Sequence, residues 1–329
     1  MVTSFINEPL TPPELHTNDI TTSGSRRLAQ LAKLEARARA ANKGQLKPKP
    51  AITTPTLKTW PDEVRGVPNA FLRSALFGAV RKGSRTDLKM VAINSIGGVQ
   101  ISYTGTRLDQ IDLSVWLSVL HLSRRQMLGH ELRYKAYGVL KLMKKTDTGK
   151  NRKLLHDRLL RLAACNVEVV LGDISYTGSL IKHFYKDENS LEYVVILDAK
   201  LNALFSKSGF SYIDWSIRSA LDGQPLAQWL HGFYSSHAKA YGLKVSTLHQ
   251  LCGSEAREIW KFTQTLCRAF DALSAAYNKH GKSFEYAIRG DLVHVQRQES
   301  QTQFRHLMRV EKTKRTRAVL AGREYCSSR

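Results

Sequence analysis

Acidic side chains are scarce in this chain: 28 Asp and Glu stand against 50 Lys and Arg in 329 residues, a net charge of +22. Solubility alone asks for a net charge of only about 2 to 8 on a small domain, so the excess points to a polyanionic partner. Nucleic acid is the polyanion whose condensed counterions convert positive charge into salt-dependent affinity. Cysteine is scarce as well. Cys165, Cys252, Cys267 and Cys326 form no C-x-x-C pair and lie in segments that read as helix or tail, which speaks against structural zinc and a disulfide framework. Long apolar runs are missing: none approaches the roughly 20 residues of a spanning helix, and the opening MVTSFINEPLTPPELH lacks the basic-then-apolar order of a secretory signal. A cytoplasmic protein with no membrane partner is expected. No His-hydrophobe-His metal pair, paired-carboxylate arrangement or Cys/His constellation stands out, so no metal, cofactor or catalytic residue is expected.

What is present divides the chain into four parts. Residues 1–58 are Thr-, Pro-, Ser-, Ala- and Lys-rich with few large apolar groups, too little buried surface to offset ordering entropy, and read as a disordered or partner-binding arm. Within it Arg26 to Ala41 is rich in helix formers and has only a thin Leu28, Leu31, Leu34 stripe. From Trp60 the composition turns globular. Strands are predicted near Leu88 to Ile93 and Val99 to Tyr103, then a helix preceded by Asp112, and two further helical stretches at about Arg133 to Lys144 and Lys150 to Ala164. Three β-branched or aromatic runs follow, Val167 to Leu171, Ser179 to Tyr185 and Glu192 to Leu197. The order recurs downstream: helices at about Pro225 to His237, Val245 to Leu251 and Glu255 to Ala276, then strands Phe284 to Ile288 and Leu292 to Gln296 around Gly290. The expected fold is α+β, two tandem winged-helix domains (helix-turn-helix plus β-hairpin wing) over 59–205 and 206–297, with a basic C-terminal extension over 298–329 that carries Lys312, Lys314, Arg315 and Arg317.

The long helix of each repeat is the candidate DNA reader. In the second, Ser254 is placed to cap the helix, Ile259, Phe262, Leu266, Phe270 and Leu273 fall on one stripe, and Arg257, Lys261, Gln264 and Arg268 fall on the opposite one. Arg and Gln suit bidentate contacts to guanine and adenine edges, and an α-helix fits the major groove. In the first, Leu155, Leu159 and Leu162 turn inward while Lys150, Lys153, Asp157 and Arg161 turn outward, with Asn151, Arg152 and His156 near the leading end. A charged face opposite an apolar one is ordinarily solvated surface; the helix-helix-hairpin order and the lack of acidic partners in the second stripe favour recognition. Leading-end residues reach base edges in helix-turn-helix docking, which favours Asn151, Arg152 and Lys153 over Arg161, whose expected partner is phosphate or solvent.

Two patterns imitate enzymes. Ala276 to Ser283 (AYNKHGKS) fits a permissive phosphate-loop template, but such a loop follows a strand and opens a helix, and here the predicted order is reversed. His306, Arg309 and Tyr325 resemble a strand-transfer constellation, yet the spacing is short and the segment is a polar tail without a core.

Islands at Trp60-Pro61-Asp62, Pro68-Asn69, Arg73-Ser74-Ala75-Leu76-Phe77, Ile101-Ser102-Tyr103-Thr104-Gly105, Val115-Trp116, Tyr234-Ser235-Ser236-His237, Leu243-Lys244, Cys252-Gly253-Ser254 and Asp291-Leu292-Val293-His294 carry, by their order and spacing, a resemblance to the TrfA-type plasmid replication initiators. The resemblance implies a bacterial plasmid- or nucleoid-associated protein that binds double-stranded iteron repeats, helps melt an adjacent AT-rich segment, and recruits host DnaA and the DnaB helicase. It also implies copy-number control, in which dimers or paired origins inhibit firing and monomers activate it. The chain departs from the family where members carry a sliding-clamp peptide of Gln-Leu-x-Leu-Phe type before the Trp-Pro-Asp island: Thr56-Leu57-Lys58-Thr59 stands there, and Gln30-Leu31-Ala32-Lys33-Leu34 is a loose substitute. The competing readings are a DNA-processing enzyme that nicks or transfers strands and a winged-helix transcriptional repressor.

Overall fold

Two runs of inward-facing apolar residues build two separate cores. The computed structural model describes residues 32–33, 57, 59–80, 83, 85–205, 209–300, 303–305 and 307–313. Ala32 and Lys33 are helical and exposed; the rest of the expected arm, apart from Leu57, lies outside the described residues. Leu57 is buried in the first core, so that core reaches into the segment assigned to the arm.

The first core is formed in chain order by β1 (Val64–Pro68), the one-turn helix α1 (Asn69–Leu72), β2 (Phe77–Gly78), β3 (Asp87–Ile93), β4 (Val99–Thr106), β5 (Leu108–Asp109), α2 (Gln110–Ser123), β6 (Glu131–Lys135), α3 (Ala136–Leu142), α4 (Gly149–Ala164), β7 (Asn166–Leu171), β8 (Ile174–Gly178), β9 (His183–Asp187), β10 (Glu192–Ile196), a 3-10 turn at Ala199–Phe205, and β11 (Phe210–Asp214). Then α5 (Trp215–Ala220) leads into the second core: α6 (Pro225–Ser235), β12 (Leu243–Lys244), α7 (Val245–Leu251), α8 (Ile259–Lys279), β13 (Phe284–Arg289) and β14 (Leu292–Arg297). The fold is α+β. Its two cores divide between Trp215 and Ile217 rather than after residue 205, because β11 closes back on β1 in an antiparallel pair and Trp215 stays with the first cluster.

The same topology appears twice. A helix (α2 or α6), a strand (β6 or β12), a short helix (α3 or α7), a long helix (α4 or α8) and a hairpin (β9–β10 or β13–β14) follow one another, and the resulting antiparallel sheets have matching orders, β6-β10-β9 and β12-β14-β13. The first copy carries an insertion: β7 and β8 leave its small sheet and extend β3 and β4 into a four-stranded sheet of order β3-β4-β7-β8.

Several sequence expectations are corrected by this topology. Arg133 to Lys135 are strand, not helix, because Leu132 and Tyr134 alternate inward while Glu131, Arg133 and Lys135 point out. The run Ser179 to Tyr185 is not one strand: β8 ends at Gly178 and β9 begins at His183, and the three predicted strands belong to two different sheets. Asp112 is not the cap of α2. Asp109 is, its carboxylate accepting from the Ile111 and Asp112 amides while the Asp112 carboxylate accepts in turn from the Asp109 amide, a capping box.

Polar side chains lock the two lobes together. Arg218 of α5 is fully buried and donates to the Gln110 carbonyl (2.9 Å), the Gln110 side chain (3.1 Å) and Ser114 Oγ (3.1 Å) of α2, and to the Gln228 carbonyl of α6 (3.4 Å). Arg73 donates to Ser236 Oγ and its carbonyl, Trp229 Nε1 to the Ser74 carbonyl at 3.1 Å, and Lys282 Nζ to Asp214 at 2.6 Å. The buried donors of Arg218 and Trp229 have acceptors on the other lobe, so separating the lobes strands polar groups at about 1 to 3 kcal/mol apiece, whereas Lys282 is exposed and meets water instead.

Candidate nucleic-acid interface

The second long helix presents the larger basic face. Phe262, Leu266, Phe270 and Leu273 are buried along α8, each worth about 1.5 to 3 kcal/mol of apolar transfer, and this fixes the helix against α6 and the β13–β14 hairpin. Lys261, Gln264 and Arg268 lie exposed on its outer side. Lys261, Thr265 and Arg268 also form one wall of a groove of about 840 Å³, with Val80, Asp109 and Ile111 of the first lobe across from them.

The helix begins later than its sequence implies. It starts at Ile259 with Glu258 as an extended N-cap that makes no side-chain bond, and Ser254 Oγ instead accepts from the Ala256 amide within the preceding loop. Arg257 is therefore an exposed loop residue just ahead of the helix. Ile259 is exposed, not inward, because the first helical turn overhangs the end of the core that Phe262 closes. The loop is held from the other lobe: Arg107 donates to the Gly253 carbonyl and to Glu255, and Gly253 takes a positive φ of 63° with Arg107 and Ala75 packed where a Cβ would stand.

The first long helix offers fewer uncommitted groups. Thr148 caps α4 through the Asn151 amide, and Leu155, Leu159 and Leu162 are fully buried. Lys150 and Lys153 are exposed at the leading end. Asn151 is turned back, its Nδ2 donating to the Thr146 carbonyl at 2.8 Å, and Arg152 is held in a two-pronged bond to Asp147 at 2.6 and 2.7 Å. His156 is half-buried, with Nδ1 3.4 Å from the Tyr193 hydroxyl and its ring edge-on to Phe184. Arg161 does not face outward: it donates to both Asp112 carboxylate oxygens at 3.2 and 3.0 Å.

Arg161 belongs to a buried charge cluster that sequence reading missed. Arg158 is nine-tenths buried and bridges Asp109 (2.8 Å) and Asp112 (3.0 Å), while Arg85 also pairs with Asp109. Burial alone would push the Asp109 carboxyl up, but Arg158, the Asp112 amide and Arg85 together hold it below the ordinary carboxylate range. A signal was available, since Arg158 stands at the i+3 position between Leu155 and Leu162, on the inward stripe itself. The cluster ties α4 to the capped end of α2 and so aims the Lys150–Lys153 end.

The hairpins differ in charge. In the first, Asp187 accepts from the Asn189 and Ser190 amides and Lys186 is paired with Glu188, leaving an acidic tip. The second turns through Gly290 and Asp291, where the positive φ of Gly290 (62°) is what a two-residue II′ turn needs at its first position, and exposed Arg289 flanks it. Gly281-Lys282-Ser283 joins α8 to β13, with Lys282 engaged by Asp214, so it lies in the helix-then-strand order. His306 and Tyr325 lie outside the described residues, as do Lys314, Arg315, Arg317 and most of the Gln30 to Leu34 segment; Gln303 docks the start of the C-terminal extension by donating to the Ser235 carbonyl at 2.7 Å. Among the described residues no group of His, Cys, Asp and Glu is arranged to hold a metal ion, and no helix is long and apolar enough to cross a membrane.

The sequence profile described as TrfA protein matches residues 26–297. The plasmid replication initiator protein TrfA of Escherichia coli is 26% identical over 247 residues, which cover 72% of this chain and 63% of that protein, so the chain spans less than two thirds of that relative's length. Among solved structures, domains 2 and 3 of RctB align at a TM-score of 0.47 and 12% identity, covering 69% of this chain and 97% of that one. The Pi initiator protein in complex with iteron DNA aligns at a TM-score of 0.42 and 10% identity, covering 57% of this chain and 91% of that one.

Proposed function

The chain belongs to the TrfA family, and from that premise we propose that it is a plasmid replication initiator that binds tandem double-stranded repeats through two winged-helix units and catalyses no reaction itself. The observation that carries this reading is the duplicated topology, in which each copy ends a short-helix, long-helix step on an outer cationic face: Lys150 and Lys153 on α4, Lys261, Gln264 and Arg268 on α8. A helix of this kind fits a major groove, and its cations replace condensed counterions on the phosphates. Two joined modules raise each other's effective concentration, so each half is weak alone while the pair is tight.

Origin opening, recruitment of host DnaA and DnaB, and copy-number control through dimers extend this proposal. Bending a bound repeat costs about 1 to 6 kcal/mol, a strain that, stored beside an AT-rich segment, favours unpairing there. Footprinting on supercoiled origin plasmid tests the whole reading. The expected result is protection of each repeat, with permanganate-reactive bases beside them and neither nicking nor a covalent protein–DNA adduct. Nicked or protein-linked DNA would place the chain among strand-processing enzymes, and protection confined to a promoter operator would make it a repressor.

A further inference from the structure

We propose that Trp260 is a specificity residue that reads thymine methyl groups in the major groove. This rests on the assignment of α8 as a DNA-entering helix. Of the five tryptophans, Trp60, Trp116, Trp215 and Trp229 are 7% exposed or less, whereas Trp260 is 55% exposed and its neighbour Ile259 is 46% exposed. Packing does not account for it. The core face of α8 is filled by Phe262, Leu266 and Phe270, and at about 100° per residue Trp260 lies roughly 160° around the helix from Phe262.

Its place on the helix gives it a use. Trp260, Gln264 and Arg268 follow one another at i, i+4 and i+8, so the indole stands on the same outer face, one turn ahead of Gln264. Side chains on a helix lean toward its N-terminus, which carries the ring beyond the first turn, where leading-end residues meet base edges. The ammonium of exposed Lys261 sits 5.2 Å from the ring centroid, and exposed Arg257 and Glu258 come just ahead of it in the chain. An ammonium against the ring, with Gln264 and Arg268 continuing the same face, suits a phosphate at the edge of a groove better than an apolar protein surface. Within the groove, the thymine C5 methyl is the apolar group that the base edges present, and a flat indole beside Ile259 is a matching surface.

The test uses the full chain and its cognate repeat with thymine replaced by uracil, one position at a time, which removes only the methyl group. The wild type is expected to lose about fivefold in affinity at one or two positions within one half of the repeat, and Trp260→Ala is expected to bind thymine DNA about tenfold more weakly and to ignore those same replacements. Trp260→Phe should restore part of the sensitivity. An unchanged melting temperature for Trp260→Ala shows that the fold is intact, as the exposure of the ring predicts. Equal affinity of Trp260→Ala and wild type, or a uracil penalty undiminished in the variant, overturns the inference. The DNA-binding reading stands or falls separately: if Lys261→Ala and Arg268→Ala still weaken binding, α8 remains at the DNA, and if they have no effect the helix assignment fails with it.

Discussion

Three histidines, His121 and His231 buried and His237 half-buried, make the stability of this fold depend on pH. The indole of Trp60 donates to His121 Nδ1 at 3.0 Å, so the proton of that ring sits on Nε2 and faces Asp62. His231 donates from Nε2 to the Asp214 carbonyl and so accepts from the Tyr277 hydroxyl at Nδ1. Burial, with nearby arginines adding to it, pushes His121 and His237 down to about 4 and His231 down to about 3. In the unfolded chain these rings take up protons near their ordinary value of about 6.5, while in the fold they stay neutral, so the unfolded state binds more protons below that pH. Stability is therefore full above about pH 7 and falls between about 6.5 and 4, by about 1.4 kcal/mol per pH unit for each histidine that stays neutral. Urea unfolding at a series of pH values checks this. His231→Gln should flatten the slope by one histidine's share, and a stability that is level from pH 7 to 5 contradicts the assignment of neutral buried rings.

Element by element, the two copies of the topology offer different chemistry to the proposed DNA partner. The two hairpins share a topology and differ in chemistry, with Asp187, Glu188 and Glu192 around the first tip and, in the second, exposed Arg289 beside Gly290 and an Asp291 that lies 3.8 Å from Lys244. Arg289→Ala is accordingly expected to weaken binding on every sequence alike and to lower the salt slope by about one unit, while Glu188→Gln should leave binding unchanged or tighten it. Equal losses from both substitutions, measured as affinity against salt, would mean that the hairpins do not differ in their approach to phosphate. The long helices and the alternating strands were legible from sequence because their apolar periods are strong, as Leu155, Leu159 and Leu162 show. The start of α8 was not. Ser254 looks like a cap, but the Arg107 contacts that hold the Gly253–Glu255 loop out of the helix lie far away in sequence, 146 and 148 residues off. The pairing of β7 and β8 with β3 and β4 is likewise a long-range choice that local pattern does not encode. Arg161 was misplaced for the same reason, since its partner Asp112 sits on another helix.

At the scale of the whole molecule, two similar lobes are joined by a buried arginine and a set of cross-lobe hydrogen bonds, so the spacing between their long helices is built into the fold. On the proposed reading, this fixed pair of long helices is expected to match successive turns of B-form DNA and to reject repeats in which the halves are moved apart. Methylation interference on the cognate repeat tests this most directly. The account predicts two patches of contacted guanine N7 about ten base pairs apart, one lost in Lys261→Ala, Arg268→Ala protein and the other in Lys150→Ala, Lys153→Ala protein. A single patch, or both variants thinning the same one, would contradict it.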